Sequence, residues 1–344
     1  MQVSLFMFFT SFMPFMSFSW GVRLQAWPTE ATPMTTPGPP SLGIDLGGTK
    51  IAAVVLAADG AVIWETRVPS PREDYNATIE AIASLVVDGE RAAGQSCSVG
   101  IGIPGALSRA TGLVRNANST WLIGRPFHED LERRLGRPIR LANDANCLAL
   151  SEAIDGAGAG ADVVFAVILG TGVGGGLVVN GHVVTGVNAI AGEWGHNPLP
   201  WPDDEERPGP PCYCGKHGCI ETFLSGPGLA LDYRNRTGAS ARGEEVVERA
   251  LRGERSAAET LAAWERRLAK SLATVINIVD PDVVVVGGGL SRIERLYERI
   301  PASWNEWVFS DRVDTLIVPA KYGDASGVRG AARLWATRAT LEDC

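Results

Sequence analysis

The chain has 344 residues, 45% of them hydrophobic, and a formal charge of −8. It can bury one large core or two of ordinary size. The acidic balance excludes a general nucleic-acid or anionic-membrane surface, so any anionic ligand must be held locally, through backbone N–H groups. Six cysteines are too few for a disulfide scaffold, and the packing of half of them into Cys212–Cys219 favours metal in a reducing compartment, which points to the cytoplasm.

Taken in chain order, Val3 to Trp20 is apolar, but no Lys or Arg precedes it and Pro14 interrupts it, a poor pattern for a signal peptide or membrane anchor. Residues 1–41 are therefore read as an N-terminal extension, from a translation start placed too early, with Met34 as the initiator. Leu42 to Asp45 is a buried strand, "LGGTK" a turn, "IAAVVLA" a second strand, Asp59-Gly60 a hairpin turn and "AVIWETRV" a third strand. Tyr75 to Ala93 has helical spacing, Ser98 to Ile103 is a strand ending in "GIPG", and Phe127 to Leu135 is a charged helix. "PIRLANDANCLALSEAI" predicts a short strand and then a helix from Asp144 or Ala145. The opening order returns in Val163 to Leu169, "GTGVGGG", "LVVN", the Asn180-Gly181 turn and "HVVTGV", so the chain is read as an internal repeat. Val246 to Val279 is helical, "PDVVVVGGGLS" is a buried strand ending in glycines, and Gly327 to Thr337 is a closing helix. Strands alternating with helices indicate an α/β protein.

"DLGGTK" joins two strands, so it is neither a Walker loop nor a dinucleotide fingerprint. Alone it reads as an ordinary glycine hairpin. Paired with "GTGVGGG", it suggests two turns closing on one polyphosphate, with backbone amides as donors and Thr49 and Lys50 adding side chains. The nucleotide set is Asp45, Gly47, Gly48, Thr49, Lys50, Gly170, Thr171, Gly172, Gly174 and Gly175. Gly287 and Gly288 join it, at the end of a buried strand where ligands sit in open α/β sheets. In "LANDAN", Asp144 reads either as a helix N-cap or as a carboxylate that takes a proton from a substrate hydroxyl, and the two are compatible.

Cys212-x-Cys214 and Cys219 with one imidazole make a closed Cys3His set suited to structural zinc, His196 or His217 being the fourth ligand. Zinc with four protein ligands cannot activate water, so its task is to hold a pocket wall. Asn143, Asp144, Glu193 and Glu221 form the acceptor set that a polyol needs, since each buried hydroxyl left unpaired costs about 1 to 3 kcal/mol. A polyol beside a nucleotide implies a sugar kinase.

"GIDLGGTK", "GIPG", "LANDAN", "GTGVGGG", "GEWGH", "CYCGKHGCIE" and "VVVGGGLS", in this order over Leu42 to Trp335, resemble the ROK family of sugar kinases and sugar-responsive repressors. The resemblance implies an actin-like, ribonuclease-H-like ATPase fold of two α/β domains with a cleft between them. The expected division is 42–145, completed by helix 327–337, and 146–326, which carries the zinc loop 196–219. It also implies ATP and Mg2+ as cofactors, with Mg2+ near Asp45, and Asp144 as catalytic base. The implied sugar shell is Asn143, Asp144, Glu193, His196 and Glu221, with zinc on His196, Cys212, Cys214 and Cys219. His196 would serve both, through its two ring nitrogens. "PREDY", "NANSTWL" and "GEWGHNPLPW" look most like bacterial fructokinases of the manno-fructokinase type. N-acetylglucosamine or glucose kinase is the alternative, and Trp121 is read either as core or as filling the space an acetamido group would need.

A repressor would need a basic DNA-reading helix before the first glycine turn, which residues 1–41 do not supply, so no nucleic-acid partner and no membrane partner are expected. A non-catalytic sugar-binding regulator is the rival of another class. The family is often dimeric, so a homodimer is a further expectation.

Overall fold

The computed structural model describes residues 39–117 and 119–336. The expectation for the N-terminal extension therefore lies, up to residue 38, outside the described residues. The first half runs β1 (Ser41–Leu46), β2 (Lys50–Leu56), β3 (Val62–Pro69), α1 (Tyr75–Ala93), β4 (Ser98–Ile103), β5 (Ala106–Leu107), β6 (Val114–Arg115), α2 (Phe127–Leu135) and β7 (Arg140–Asn143). The second runs α3 (Asp144–Ile154), β8 (Val163–Leu169), β9 (Val173–Val179), β10 (His182–Val183), α4 (Ile220–Leu224), α5 (Gly226–Thr237), α6 (Gly243–Leu251), α7 (Arg255–Val279), β11 (Val283–Gly287), α8 (Leu296–Trp304), β12 (Leu316–Pro319) and α9 (Ser326–Arg333).

The repeat read in the sequence is a repeat of topology. One sheet has the order β3-β2-β1-β4-β7 and the other β10-β9-β8-β11-β12. In each, the leading hairpin is antiparallel and the two later strands join in parallel. The central strands are apolar throughout, as strands covered on both faces must be; Val283 to Gly287 is entirely buried. The copies diverge at the third strand, which runs eight residues in β3 and only two in β10.

Two helices lie between the sheets: α9 packs on β1, β2 and β4, α3 packs on β8 and β9, and the two helices pack on each other. One core lies under α1 and α2 against the first sheet, and a larger one under α4 to α8 against the second. Glu152 of α3 is fully buried, yet its carboxylate accepts from the N–H groups of Ala157 and Lys321 and from the Ser326 hydroxyl, at 2.7, 3.0 and 2.7 Å. These bonds satisfy the charge and tie α3 to the start of α9.

Three sequence expectations shift. The helical run Val246 to Val279 is two helices, because the chain turns at Gly253, whose φ is +90°. The closing helix is α9, beginning at Ser326. Helix α8 and strand β12 were not anticipated.

Candidate active site

Asn143 ends β7 and caps α3: its Oδ1 accepts the Ala145 N–H at 2.9 Å, and its Nδ2 donates to the Gly105 carbonyl at 3.0 Å. This fixes the junction at which Asp144 becomes the first residue of the helix, so the cap is Asn143 and the aspartate is left available for chemistry. The Asp144 carboxylate accepts from the Ala145 N–H at 2.8 Å. Burial raises its proton affinity, the Ala145 hydrogen bond opposes this, and the nearby Glu193 charge adds to it. Asp45, at the end of β1, is pushed up to about 6, first by burial and then by the Asp144 charge. Asp45, near the end of β1, and Asp144, at the start of α3 just after β7, thus meet at one end of the first sheet.

Glu193 precedes a short 3-10 turn, Trp194–His196. The turn is anchored by Trp194, which is buried edge-on against Phe165 and donates from Nε1 to the Gly174 carbonyl at 2.9 Å. That packing corrects the reading of Gly175 as a phosphate ligand. Gly175 is buried within β9, where a Cβ would come within 2.8 Å of both the Gly192 carbonyl and the Trp194 ring. Its missing side chain admits the wall that carries Glu193 and His196. Gly174 also lies inside β9, leaving Gly170, Thr171 and Gly172 as the turn itself.

That turn is braced from several sides. Glu221, in the first turn of α4, accepts the Val173 N–H at 2.9 Å. The N–H of Gly226, at the start of α5, donates to the Gly170 carbonyl at 2.8 Å. Gly288, with φ +83°, lies against the Leu169 carbonyl, closer than a Cβ would permit. Gly287 is buried at the end of β11, beside Leu148. The start of α5 is a part of the site that sequence reasoning missed; the "SGPG" run, a serine cap followed by proline, was its signal. The first turn is held by the Gly47 N–H on the Lys50 carbonyl, with Thr49 and Lys50 exposed.

His196, Cys212, Cys214 and Cys219 bring one ligand atom each within 4.8 Å of one another. His196 Nδ1 is 3.5 Å from Cys212 Sγ, and Cys214 Sγ is 3.6 Å from Cys219 Sγ. A tetrahedral zinc with ordinary bond lengths requires N to S about 3.5 Å and S to S about 3.7 Å, so the donor set fits that ion. His217, left open as a ligand by the sequence, is exposed and stands outside the group. The other nitrogen of His196, expected to face a sugar hydroxyl, instead meets the Tyr213 hydroxyl at 2.8 Å.

Of the two readings of Trp121, the structure bears out the core one. Its ring packs on the first-sheet core and its Nε1 donates to Thr78 of α1 at 3.2 Å. It is not among the residues lining the cavity of about 190 Å3 that Asn143 and Glu193 border. A larger cavity, about 620 Å3, is lined by the loop 203–211, α5 and α7 and contains none of the expected site residues. Its buried Arg267 is already paired with Glu206 and Asp232 at 2.7 and 2.5 Å.

The ROK family model matches residues 41–338. This chain belongs to the ROK family. The N-acetyl-D-glucosamine kinase of Escherichia coli O1:K1 is 41% identical over 303 residues, covering 86% of this chain and 99% of that protein. Among solved structures, the ROK hexokinase of Thermus thermophilus is 32% identical with a TM-score of 0.76, covering 85% of this chain and 96% of that one. The ROK glucokinase of Streptomyces griseus, solved with glucose and AMPPNP, is 28% identical with a TM-score of 0.70, over 86% of this chain and 98% of that one. The paired five-stranded sheets are accordingly the two α/β domains of the actin-like ATPase fold expected from the sequence. Among the described residues, no helix is long and apolar enough to cross a membrane.

Proposed function

We propose that this ROK-family sugar kinase transfers the γ-phosphoryl group of ATP to the 6-hydroxyl of fructose and, less readily, of mannose. The observation that carries the mechanism is Asp144: a carboxylate fixed at the start of α3, with proton affinity raised by burial and by Glu193. That raised proton affinity suits it to take the proton of a hydroxyl. As the O6–P bond forms and the bond from Pγ to the leaving ADP oxygen breaks, the hydroxyl proton passes to Asp144. Asn143, Glu193 and Glu221 orient the sugar, and His196, with its ring nitrogens on the metal cluster and on Tyr213, supports the wall behind them; the turns at Gly47–Lys50 and Gly170–Gly172, with Gly288 beside the second, hold the phosphates. Bound Mg2+ supplies neutralisation of phosphate charge, and Asp45 is the carboxylate this chain offers it. Zinc on His196, Cys212, Cys214 and Cys219 stiffens the sugar wall. We place the domain boundary after residue 145, with α9 returning to complete the first domain.

The fructose assignment rests on "PREDY", "NANSTWL" and "GEWGHNPLPW"; Trp121, packed on the core, adds nothing to it. The 41% identity to an N-acetylglucosamine kinase favours that sugar as the second reading. ADP release from Mg-ATP with fructose, mannose, glucose and N-acetylglucosamine decides between them. The highest kcat/KM with fructose is expected; a preference for N-acetylglucosamine would replace the sugar and keep the mechanism, and no turnover with any hexose would overturn the kinase reading.

A further inference from the structure

The cavity beside Asn143 and Glu193 contains a polar group for which neither the sequence nor the mechanism provides. Asn146 is nine-tenths buried, lines this cavity, and its Oδ1 is shielded from solvent without accepting any hydrogen bond. A buried amide oxygen in that state is costly unless something fills the space beside it. The local fold offers no partner. Asn146 lies in the first turn of α3, three residues after the cap Asn143, so the two carboxamides share one face of the helix. The rest of the cavity is a wall of Ile103, Leu107 and Leu141 with Arg109 and Thr185 at polar positions. Apolar walls with a few placed polar groups describe a site for a small polyol, whose C–H faces and hydroxyls need both.

Asn143 and Glu193 line this cavity, whereas Asp144 does not. A sugar with its reacting hydroxyl on Asp144 and its neighbours on Asn143 and Glu193 therefore extends its far end toward Asn146. We infer that Asn146 is a sugar-binding residue, its carboxamide hydrogen-bonding a hydroxyl at the end of the hexose remote from the transferred phosphoryl group. This rests on the kinase reading but not on which hexose is preferred. It also assigns the cavity as the subsite in which a substituent at that remote end is accepted or refused.

The test is Asn146→Leu, close in volume, compatible with a helix and lacking the polar atoms. Three readings are taken with whichever hexose the unaltered chain phosphorylates best: KM for hexose, KM for ATP, and thermal unfolding with and without hexose. The expected result is a hexose KM raised about 10-fold, an unchanged ATP KM, an unliganded midpoint equal to or above that of the unaltered chain, and a diminished hexose-induced rise in midpoint. The unliganded midpoint holds because replacing an unsatisfied amide with an apolar group removes a cost. An unchanged hexose KM with an unchanged hexose-induced rise would overturn the inference, showing a cavity filled by water alone. A lowered unliganded midpoint with equal loss of affinity for ATP and hexose would overturn it as well, showing a packing role. Failure of the kinase reading is seen separately, as absence of turnover by the unaltered chain.

Discussion

The two copies of the repeat share strand order and direction, yet the second carries Glu193, His196 and Glu221, most of the side chains proposed to form the sugar wall. In the first copy the three-residue glycine turn is held by the Gly47 N–H on the Lys50 carbonyl and the Ser70 N–H on the Thr49 carbonyl, with Thr49 and Lys50 open to solvent. In the second, the equivalent turn is braced by Glu221, the start of α5 and Gly288. Between β10 and β11 the chain inserts Glu193, His196 and the three clustered cysteines along with α4 to α7. The shared frame follows from burial of alternating strands and helices; the specialisation follows from what is inserted at one strand end.

The sharpest way to break this comparison is to abolish the proposed zinc site of the second copy. Cys219→Ser is expected to reduce zinc from about one equivalent per chain to near none and to lower hexose phosphorylation by about 100-fold, as shown by metal analysis and ADP release on the same sample. Full activity in a zinc-free protein would end the idea that the metal holds the wall.

Next in size is the joint between the copies. Glu152→Ala leaves the N–H groups of Ala157 and Lys321 and the Ser326 hydroxyl without their acceptor. A loss of about 3 kcal/mol is expected in denaturant unfolding; a loss below about 1 kcal/mol would mean that the α3–α9 packing does not depend on this carboxylate.

The smallest effect belongs to the first copy. Asp45 binds its proton more tightly folded than unfolded, being pushed up to about 6 by burial and by Asp144. Its contribution to stability is therefore present at low pH and is lost as pH rises through about 6. Asp45→Asn should raise the unliganded melting temperature by a few degrees above pH 6 and leave it unchanged near pH 4, while impairing turnover. A gain of the same size at both pH values would show that the carboxylate's charge is not its source.

Much of this frame was legible because strand patterning and glycine turns are local signals: the doubled order of β1 to β3 and β8 to β10 could be read directly. Side-chain destinations were less so. The direction of the Trp121 indole is set by Thr78, forty-three residues earlier, and the choice of His196 over His217 depends on the 3-10 turn that Trp194 anchors. Glycines in "GTGVGGG" look alike in sequence, yet Gly170 to Gly172 form the turn while Gly175 makes room for an indole. Asn146 stood inside a motif already singled out, but its missing partner is a property of the folded interior alone.

The central claim is that Asp144 takes the proton while the second copy holds the sugar. Single-turnover phosphoryl transfer, measured beside equilibrium hexose binding in Asp144→Asn, tests it most directly. The account predicts transfer slowed by about 1,000-fold with hexose affinity kept within a few-fold of the unaltered chain. Transfer at an unimpaired rate would contradict it.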